Sequence, residues 1–166
     1  MIKQGECAQG RVAFLLRDIP MCPTANRLVM PHRGRLISTP ELRQWKAEVE
    51  AWQLRHLRPL EHVKETLEKY LSGGKFRVLQ VDCYHVFPME KIFTKTGKPK
   101  KIDSNNRLKA MLDAASKMTG IDDKFYFSGA CEKLGGPVAS PRTHLIIKST
   151  VFQRESIVDK IFSEIE

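Results

Sequence analysis

Carboxylate, amide and lysine side chains gather between residues 103 and 123, at spacings that suit phosphate chemistry. Asp103 and Asn105 stand at the start of a helical pattern that ends at Gly120, and Asp122 and Asp123 follow directly. Mg²⁺ takes oxygen ligands, usually one or two carboxylates together with water and phosphate oxygens. A bound Mg²⁺ activates water and neutralises charge on the transferring phosphate. The pattern therefore indicates metal-assisted hydrolysis of a phosphodiester, with Mn²⁺ able to replace Mg²⁺.

Lys109 is the cation in the middle of this segment. Asn105, Lys109 and Asp113 are four residues apart and share one face of the predicted helix, away from its apolar stripe. A lysine on that face can bind the scissile phosphate as a point charge. Asp103 and Asp123 hold one ion together only if the helix packs so that the strand after it returns Asp123 to Asp103.

Each of these residues also has an ordinary structural interpretation, which the sequence leaves open. Asp103 is a candidate N-cap of the helix. Lys109 and Asp113 have the spacing of a surface pair one helical turn apart. Asp122 and Asp123 are typical turn residues before a strand.

Basic residues surround the same segment. The chain has 28 Lys and Arg against 19 Asp and Glu, a net charge of +9, and residues 91–109 hold seven basic residues and one acid. Such a concentration favours a polyanionic partner, most often nucleic acid. A basic surface that is merely solvated is the alternative.

Other patterns exclude several classes of protein. The four cysteines and five histidines lack the spacings of a zinc site or a disulfide framework. The chain has neither a Walker loop nor a G-x-G-x-x-G motif, which argues against a nucleotide cofactor. No apolar stretch approaches the roughly 20 residues that span a bilayer, and the N-terminus lacks the apolar core of a signal peptide. We therefore expect a cytoplasmic protein with no membrane partner.

The elements that must position these residues mix helices and strands, which predicts an α+β fold. Strands are expected over residues 11–18, 76–87, 125–134 and 143–151, extended chain over 27–37, and a loop over 91–101. The expected helices are a first one ending at Pro59, a second one ending at 72–74, and two more over 104–119 and 154–166. The chain is expected to be one compact domain of 1–166, a mixed sheet packed against helices, with a core of 10–150 and peripheral ends.

The first helix carries the clearest local signals. Ser38 and Glu41 have capping-box spacing, and Pro40 suits a first helical turn. An apolar stripe then follows at helical spacing, which predicts a buried face: Leu42, Trp45, Val49 and Trp52.

The polar pattern resembles the signature of the RusA-like Holliday-junction resolvases. That family has a basic segment, then D-x-D-N-x-x-K-x-x-x-D on a helix, then two aspartates. Here the pattern reads Asp103-x-Asn105-Asn106-x-x-Lys109-x-x-x-Asp113, followed by Asp122-Asp123. Upstream, Pro20 and Pro23 precede Asn26-Arg27, and Arg33-Gly34-Arg35 follows at the family's spacing. The resemblance covers roughly residues 11–149.

Enzymes of the RusA-like family are homodimeric, Mg²⁺-dependent endonucleases that nick two strands of a four-way DNA junction. The resemblance implies that Asp103 and Asp123 bind metal, that Asp122 is a less critical neighbour, and that Lys109 is needed for cleavage. It implies a RusA-like fold in the cytoplasm of a bacterial or phage-infected cell. It also implies DNA contacts from two basic regions: Asn26, Arg27, Arg33 and Arg35 in the first, and Lys98, Lys100, Lys101 and Asn106 in the second.

Asn105 departs from the family, which has aspartate at this position. An amide oxygen can bind Mg²⁺ but brings no charge and cannot act as a base, so we expect weaker metal binding and weaker cleavage. Ile102, where the family often has arginine, is a second departure. Three explanations of Asn105 stay open: a deliberately inactivated variant, a natural homologue that binds junctions without cutting them, or compensation by Asp113 or Asp122.

Three functions therefore remain after the sequence analysis. The first is a junction-resolving endonuclease, and the second is a non-catalytic protein that binds branched DNA on the same scaffold. The third is an unrelated basic α+β protein that binds RNA or another protein.

Overall fold

A mixed β-sheet with a layer of helices against one face forms the architecture, which confirms the α+β prediction. The computed structural model describes residues 2–7, 11–23, 29–32, 35–100, 107–127 and 129–151. The strands are β1 (Ile2–Cys7), β2 (Arg11–Pro20), β3 (Val29–His32), β4 (Arg35–Ser38), β5 (Arg77–Pro88), β6 (Tyr126–Phe127), β7 (Cys131–Gly136) and β8 (Arg142–Val151). The helices are α1 (Pro40–Leu54), α2 (Leu57–Ser72), the single turn α3 (Met89–Ile92) and α4 (Leu108–Thr119). Among the described residues, no helix is both long and apolar enough to cross a bilayer.

β5 is the longest strand of the large sheet and pairs with three others. The strand order is β1-β2-β8-β5-β6, and β7 also pairs with β5 beyond the end of β6. The pairs from β1 to β5 are antiparallel, whereas β6 and β7 run parallel to β5. β3 and β4 form a separate hairpin in the stretch predicted as extended. β1 was expected to be only a peripheral addition, but it is an edge strand in register with β2.

The hydrophobic core lies between the sheet and the three long helices. Along β8, Thr143, Leu145, Ile147 and Ser149 are buried and the residues between them are not, because alternate side chains of a strand point to opposite faces. The core side chains of β2, β5 and β8 pack in one cluster with those of α1, α2 and α4.

Two tryptophans fasten α1 to β2. The predicted stripe of α1 is buried, and both indole N–H groups on it reach the sheet. Trp45 Nε1 donates to the Pro20 carbonyl at 3.0 Å, and Trp52 Nε1 donates to the Arg17 carbonyl at 3.1 Å. Because a buried indole N–H needs an acceptor, these bonds fix the position of the helix along the strand.

Two predicted helix boundaries were wrong by a residue or a turn. The N-cap of α1 is Thr39, whose Oγ1 accepts the Leu42 N–H at 3.1 Å, and not Ser38. Pro40 then occupies the first helical position, where a missing N–H costs nothing. Pro59 does not end α1: it lies in the first turn of α2, which tolerates proline for the same reason.

α4 carries the predicted apolar stripe and ends where expected. Met111, Ala115 and Met118 are buried. Gly120 has φ of 69°, the left-handed conformation that favours glycine after a helix. The first residues of the helix expected over 104–119, and the whole helix expected over 154–166, lie outside the described residues.

Asp82 is a buried carboxylate on the face of β5 turned away from the helices. One oxygen accepts hydrogen bonds from the Ala130 N–H at 3.0 Å and from Gln80 Nε2 at 2.9 Å, and the other pairs with Lys148. Burial acts to raise the pKa of Asp82, but the bonds from Lys148, Ala130 and Gln80 outweigh it and hold the pKa below its usual range. The carboxylate therefore joins β5, β8 and the chain between β6 and β7.

Replacing Asp82 by alanine is expected to lower the free energy of unfolding by about 2 kcal/mol, because a buried acceptor of several hydrogen bonds is lost. Urea denaturation measures this change. Because the pKa is depressed in the folded state, the contribution is present above the unfolded value near 4 and is lost as the pH falls through the folded pKa. The control is Asp113→Ala, which removes an exposed ion pair and is expected to cost less than about 0.5 kcal/mol. Equal losses in the two variants would contradict the role assigned to Asp82.

Candidate nucleic-acid interface

The crossover from β5 through α4 to β6 separates the predicted site residues between two ends of the sheet. Arg107, just before α4, lies with its guanidinium carbon 5.8 Å from the ring of Phe87 at the carboxyl end of β5. Tyr126, just after the aspartate pair, is the partner of Leu79 near the amino end of β5. α4 therefore runs antiparallel to β5, and its first and last turns lie at opposite ends.

The carboxyl end of β5 is where several chain segments meet. Val86 is the partner of Arg142 at the start of β8, and Pro88 is the partner of Gly136 at the end of β7. Pro20, at the end of β2, is also paired with Arg142. In sheets with crossover helices, ligands bind outside the carboxyl ends of the parallel strands. A functional site is therefore expected at this end of the sheet.

Arg107 ties the start of α4 to the end of β2. The side chain is buried, and its Nε donates to the Cys22 carbonyl at 2.8 Å. Cys22 is fully buried as well, and burial raises the pKa of its thiol to about 12, so this cysteine is a protonated core residue. Sequence reasoning missed Arg107, although its place directly before the apolar stripe of α4 was a usable signal.

His85 lies close to this tie and was also missed. Its ring is fully buried on β5, and Nδ1 is 2.9 Å from the Thr143 hydroxyl on β8. Nε2 has no hydrogen-bond partner among the residues that the structure describes. Burial, helped by the nearby Arg107 charge, lowers the pKa of His85 to about 4. His85 is therefore neutral at pH 7, and a polar residue at a buried position of a strand was the signal for it.

A cleft of about 920 Å³ opens beside Arg107 at this end. Arg107 and Arg142 line it together with three acids: Asp18, Glu41 and Glu48. Arg142 is paired with Asp18 at 2.9 Å, which holds the pKa of that carboxyl below its usual range. Among the described residues that line the cleft, three acids therefore face two arginines.

The lysine-rich segment predicted as a loop over 91–101 is confirmed as a loop over its described residues 93–100, whereas residues 91 and 92 belong to the single turn α3. α3 and residues 93–100 form what we call the basic hairpin, Met89–Lys100. A bridge joins Phe93 to Pro99, and Thr94 and Lys98 exchange bonds of 2.8 and 3.0 Å across the turn. Lys100, which was predicted to contact DNA, donates a hydrogen bond from Nζ to the Glu90 carbonyl at 2.7 Å. This lysine therefore also stabilises the hairpin. Lys95 and Lys98 are exposed.

Lys109 lies in the first turn of α4, at the same end as the basic hairpin. Its side chain is 87% exposed and its Nζ is 3.9 Å from Asp113, at the limit of an ion pair. The contact is the ordinary surface pair that the sequence allowed. It is also weak enough to leave the ammonium accessible to a phosphate.

Asp122 and Asp123 lie at the other end of α4. Asp122 caps a short 3₁₀ turn, Asp123–Phe125: its Oδ1 accepts the Lys124 N–H at 3.0 Å, and its Oδ2 is 3.1 Å from Lys124 Nζ. The backbone bond from Lys124, and then the ion pair, lower the pKa of Asp122. Asp123 is exposed. Both aspartates therefore lie on the surface, away from the first turn of α4.

The remaining predicted residues fall mostly outside the described part of the chain. Arg35 is exposed at the start of β4, opposite His32. Seven of the predicted site residues lie outside the described residues: Asn26, Arg27, Arg33, Lys101, Asp103, Asn105 and Asn106. Within the part of the chain that the structure describes, no three His, Cys, Asp or Glu side chains converge as a metal site would require.

The chain matches no protein-family model, and it matches no curated protein. The resemblance to the RusA-like family therefore rests on the residue pattern alone.

The burial of His85 predicts acid sensitivity. Because the folded-state pKa is about 4 and the unfolded value is near 6.5, the unfolded chain takes up the proton first. The free energy of unfolding is expected to fall as the pH drops from 6.5 towards 4. Protonation of His85 in the unfolded chain accounts for up to about 3 kcal/mol of this loss. Urea denaturation at each pH, compared with His85→Gln, isolates the effect. A variant profile as steep as that of the natural chain would contradict it, and the exposed His32→Gln is the control.

Proposed function

We propose that this protein binds four-way DNA junctions, and that its site is built for Mg²⁺-dependent hydrolysis of DNA phosphodiesters and weakened by Asn105. One observation carries the proposal: the basic hairpin and Lys109 lie at the same end of the sheet. The segment with Asp103 and Asn105 connects them, between Lys100 and Arg107. Only the six residues 101–106 therefore separate the basic hairpin from Arg107, directly before α4.

The charge of this surface supports a phosphate backbone as its partner. The basic hairpin has four lysines against Glu90 alone. Duplex DNA carries one negative charge per about 1.7 Å of its axis, so such a surface gains affinity through release of counterions. We place the DNA across the basic hairpin and the first turn of α4, because Lys95, Lys98 and Lys109 are exposed there.

Within one chain, the residues proposed to hold Mg²⁺ are divided between the two ends of α4. Asp103 lies four residues before Arg107, so it is at most about 14 Å from it, and α4 is about 18 Å long. Asp123 lies beyond the far end of that helix. The homodimer that the resemblance implies offers a solution, because a two-fold axis can bring Asp123 of one copy to Asp103 of the other.

Four residues of the chain have defined parts in this proposal. When bound, Mg²⁺ would supply an activated water and neutralise charge on the phosphate. Asp103 and Asp123 would hold it, with the Asn105 amide oxygen as a neutral third ligand. Lys109 would orient the scissile phosphate through its exposed ammonium group.

The first test uses a labelled synthetic four-way junction with Mg²⁺ or Mn²⁺. We expect the chain to bind the junction in preference to duplex and to nick it weakly. Asn105→Asp is expected to raise symmetric nicking by at least about tenfold, because a charged ligand replaces a neutral one. Adding Lys109→Ala to that variant should abolish the nicking and leave binding nearly intact. Absence of junction preference in every variant would refute the proposed function.

The second candidate function is binding of branched DNA without cleavage. Two observations favour it: Asn105 stands where the family has a carboxylate, and Asp123 lies at the opposite end of α4 from Lys109. Retained junction preference with no nicking, even in Asn105→Asp, would select this function over the first.

A mixing experiment tests whether two copies share one metal site. In the Asn105→Asp background, Asp103→Ala and Asp123→Ala are each expected to be inactive. After mixing and subunit exchange, random pairing restores about a quarter of the sites if Asp103 and Asp123 come from different copies. Recovered single-strand nicking is the readout. No recovery, from variants that bind the junction normally, would place both ligands in one chain.

A further inference from the structure

The basic hairpin exposes apolar side chains among its lysines. Met89 is 53% exposed and Phe93 is 37% exposed, and the neighbouring Leu134 of β7 is 40% exposed. Single exposed apolar residues are common on proteins, but these three belong to adjoining segments of one surface. A groove of about 340 Å³ on this surface is lined by Met89, Glu90, Phe93, Thr94, Lys95 and Lys100.

The segment that carries these side chains packs closely against β7. A Cβ atom at Gly135 would collide with the Met89 sulfur and the Ile92 side chain, so α3 is pressed directly against β7. The Lys100 N–H donates to the Ile92 carbonyl at 2.7 Å and closes the hairpin on the other side. Phe93 therefore directly follows a helical turn that packs against β7 and accepts a hydrogen bond from Lys100.

We propose that the basic hairpin is a stacking platform for one unpaired DNA base, with Phe93 as the aromatic surface and Lys95 and Lys98 as contacts to the flanking phosphates. The inference rests on the proposed function and adds the structure that would distinguish a branch point from a duplex. Bases within a duplex are stacked on each other, whereas bases at a branch point unstack at lower cost. Aromatic rings and basic side chains together are the usual means of binding unpaired nucleotides.

The position of the hairpin fits this role. Lys100 is three residues from Asp103, which is a distance of at most about 10 Å along the chain. Because a bridge joins Phe93 to Pro99, a base held on Phe93 would lie within about 20 Å of Asp103, a span of roughly three nucleotides. Selection of the unstacked base and cleavage near it would use adjoining parts of one surface.

The test uses a four-way junction with 2-aminopurine at the branch point, and a duplex of the same sequence. The natural chain is expected to change the 2-aminopurine fluorescence of the junction and not that of the duplex. Phe93→Ala is expected to lose this signal and to bind the junction roughly tenfold more weakly, with duplex affinity unchanged. Phe93→Trp should retain both signal and affinity, and Phe93→Leu should not, because a flat ring is required rather than an apolar surface.

Two further variants separate stacking from charge and from misfolding. Phe76 is 69% exposed at the amino end of β5, and Phe76→Ala is expected to behave as the natural chain. The double variant Lys95→Ala, Lys98→Ala is expected to weaken junction and duplex binding alike and to reduce the salt slope by about 2. Phe93→Ala should leave that slope unchanged.

The outcomes distinguish this inference from the proposed function. Junction preference that survives Phe93→Ala, with an unchanged 2-aminopurine signal, would overturn the stacking platform and leave junction binding standing. A natural chain that binds junction and duplex equally would refute the proposed function itself.

Discussion

The parallel pairing of β5 with β6 and β7 is the constraint on which the arrangement of this protein depends. Parallel neighbours cannot be joined by a tight turn, so the chain must cross from one end of the sheet to the other, and α4 makes that crossing. The helix thereby holds the segment before it and the segment after it apart by its full length. Lys109 lies in the first turn of α4, and Asp123 lies beyond its last turn.

Two buried charged side chains, Asp82 and Arg107, link the segments around β5. Asp82 fastens β5 to β8 and to the Ala130 amide, between the two short parallel strands. Arg107 joins the entrance of α4 to the end of β2 through the Cys22 carbonyl. Both side chains are buried charged groups whose hydrogen bonds are satisfied, which is the condition for a buried charge to be tolerated. Asp82 thus links the strands at the middle of β5, and Arg107 links the start of α4 to the chain after β2.

The sequence predicted most elements correctly because their signals are local. The stripe of α1, the end of α4 at Gly120 and the long strand β5 follow from periodicity and from residue conformational preferences. β1 was missed because its short polar stretch gains its order from pairing with β2. His85 and Arg107 were missed because their burial depends on contacts between segments distant in sequence. The opposite placement of Lys109 and Asp123 follows from the length of α4, which the sequence predicted. The parallel pairing of β6 with β5 was not predicted, because no spacing pattern encodes the choice of partner strand.

The two tryptophans of the chain both lie on α1, with their indole N–H groups bonded to carbonyls of β2. The ring of Trp52 is further stacked on His56 at 4.2 Å. Intrinsic fluorescence of this protein is therefore a local probe of how α1 sits on the sheet. It reports the loss of that packing during unfolding, whereas a label on the nucleic acid reports binding directly.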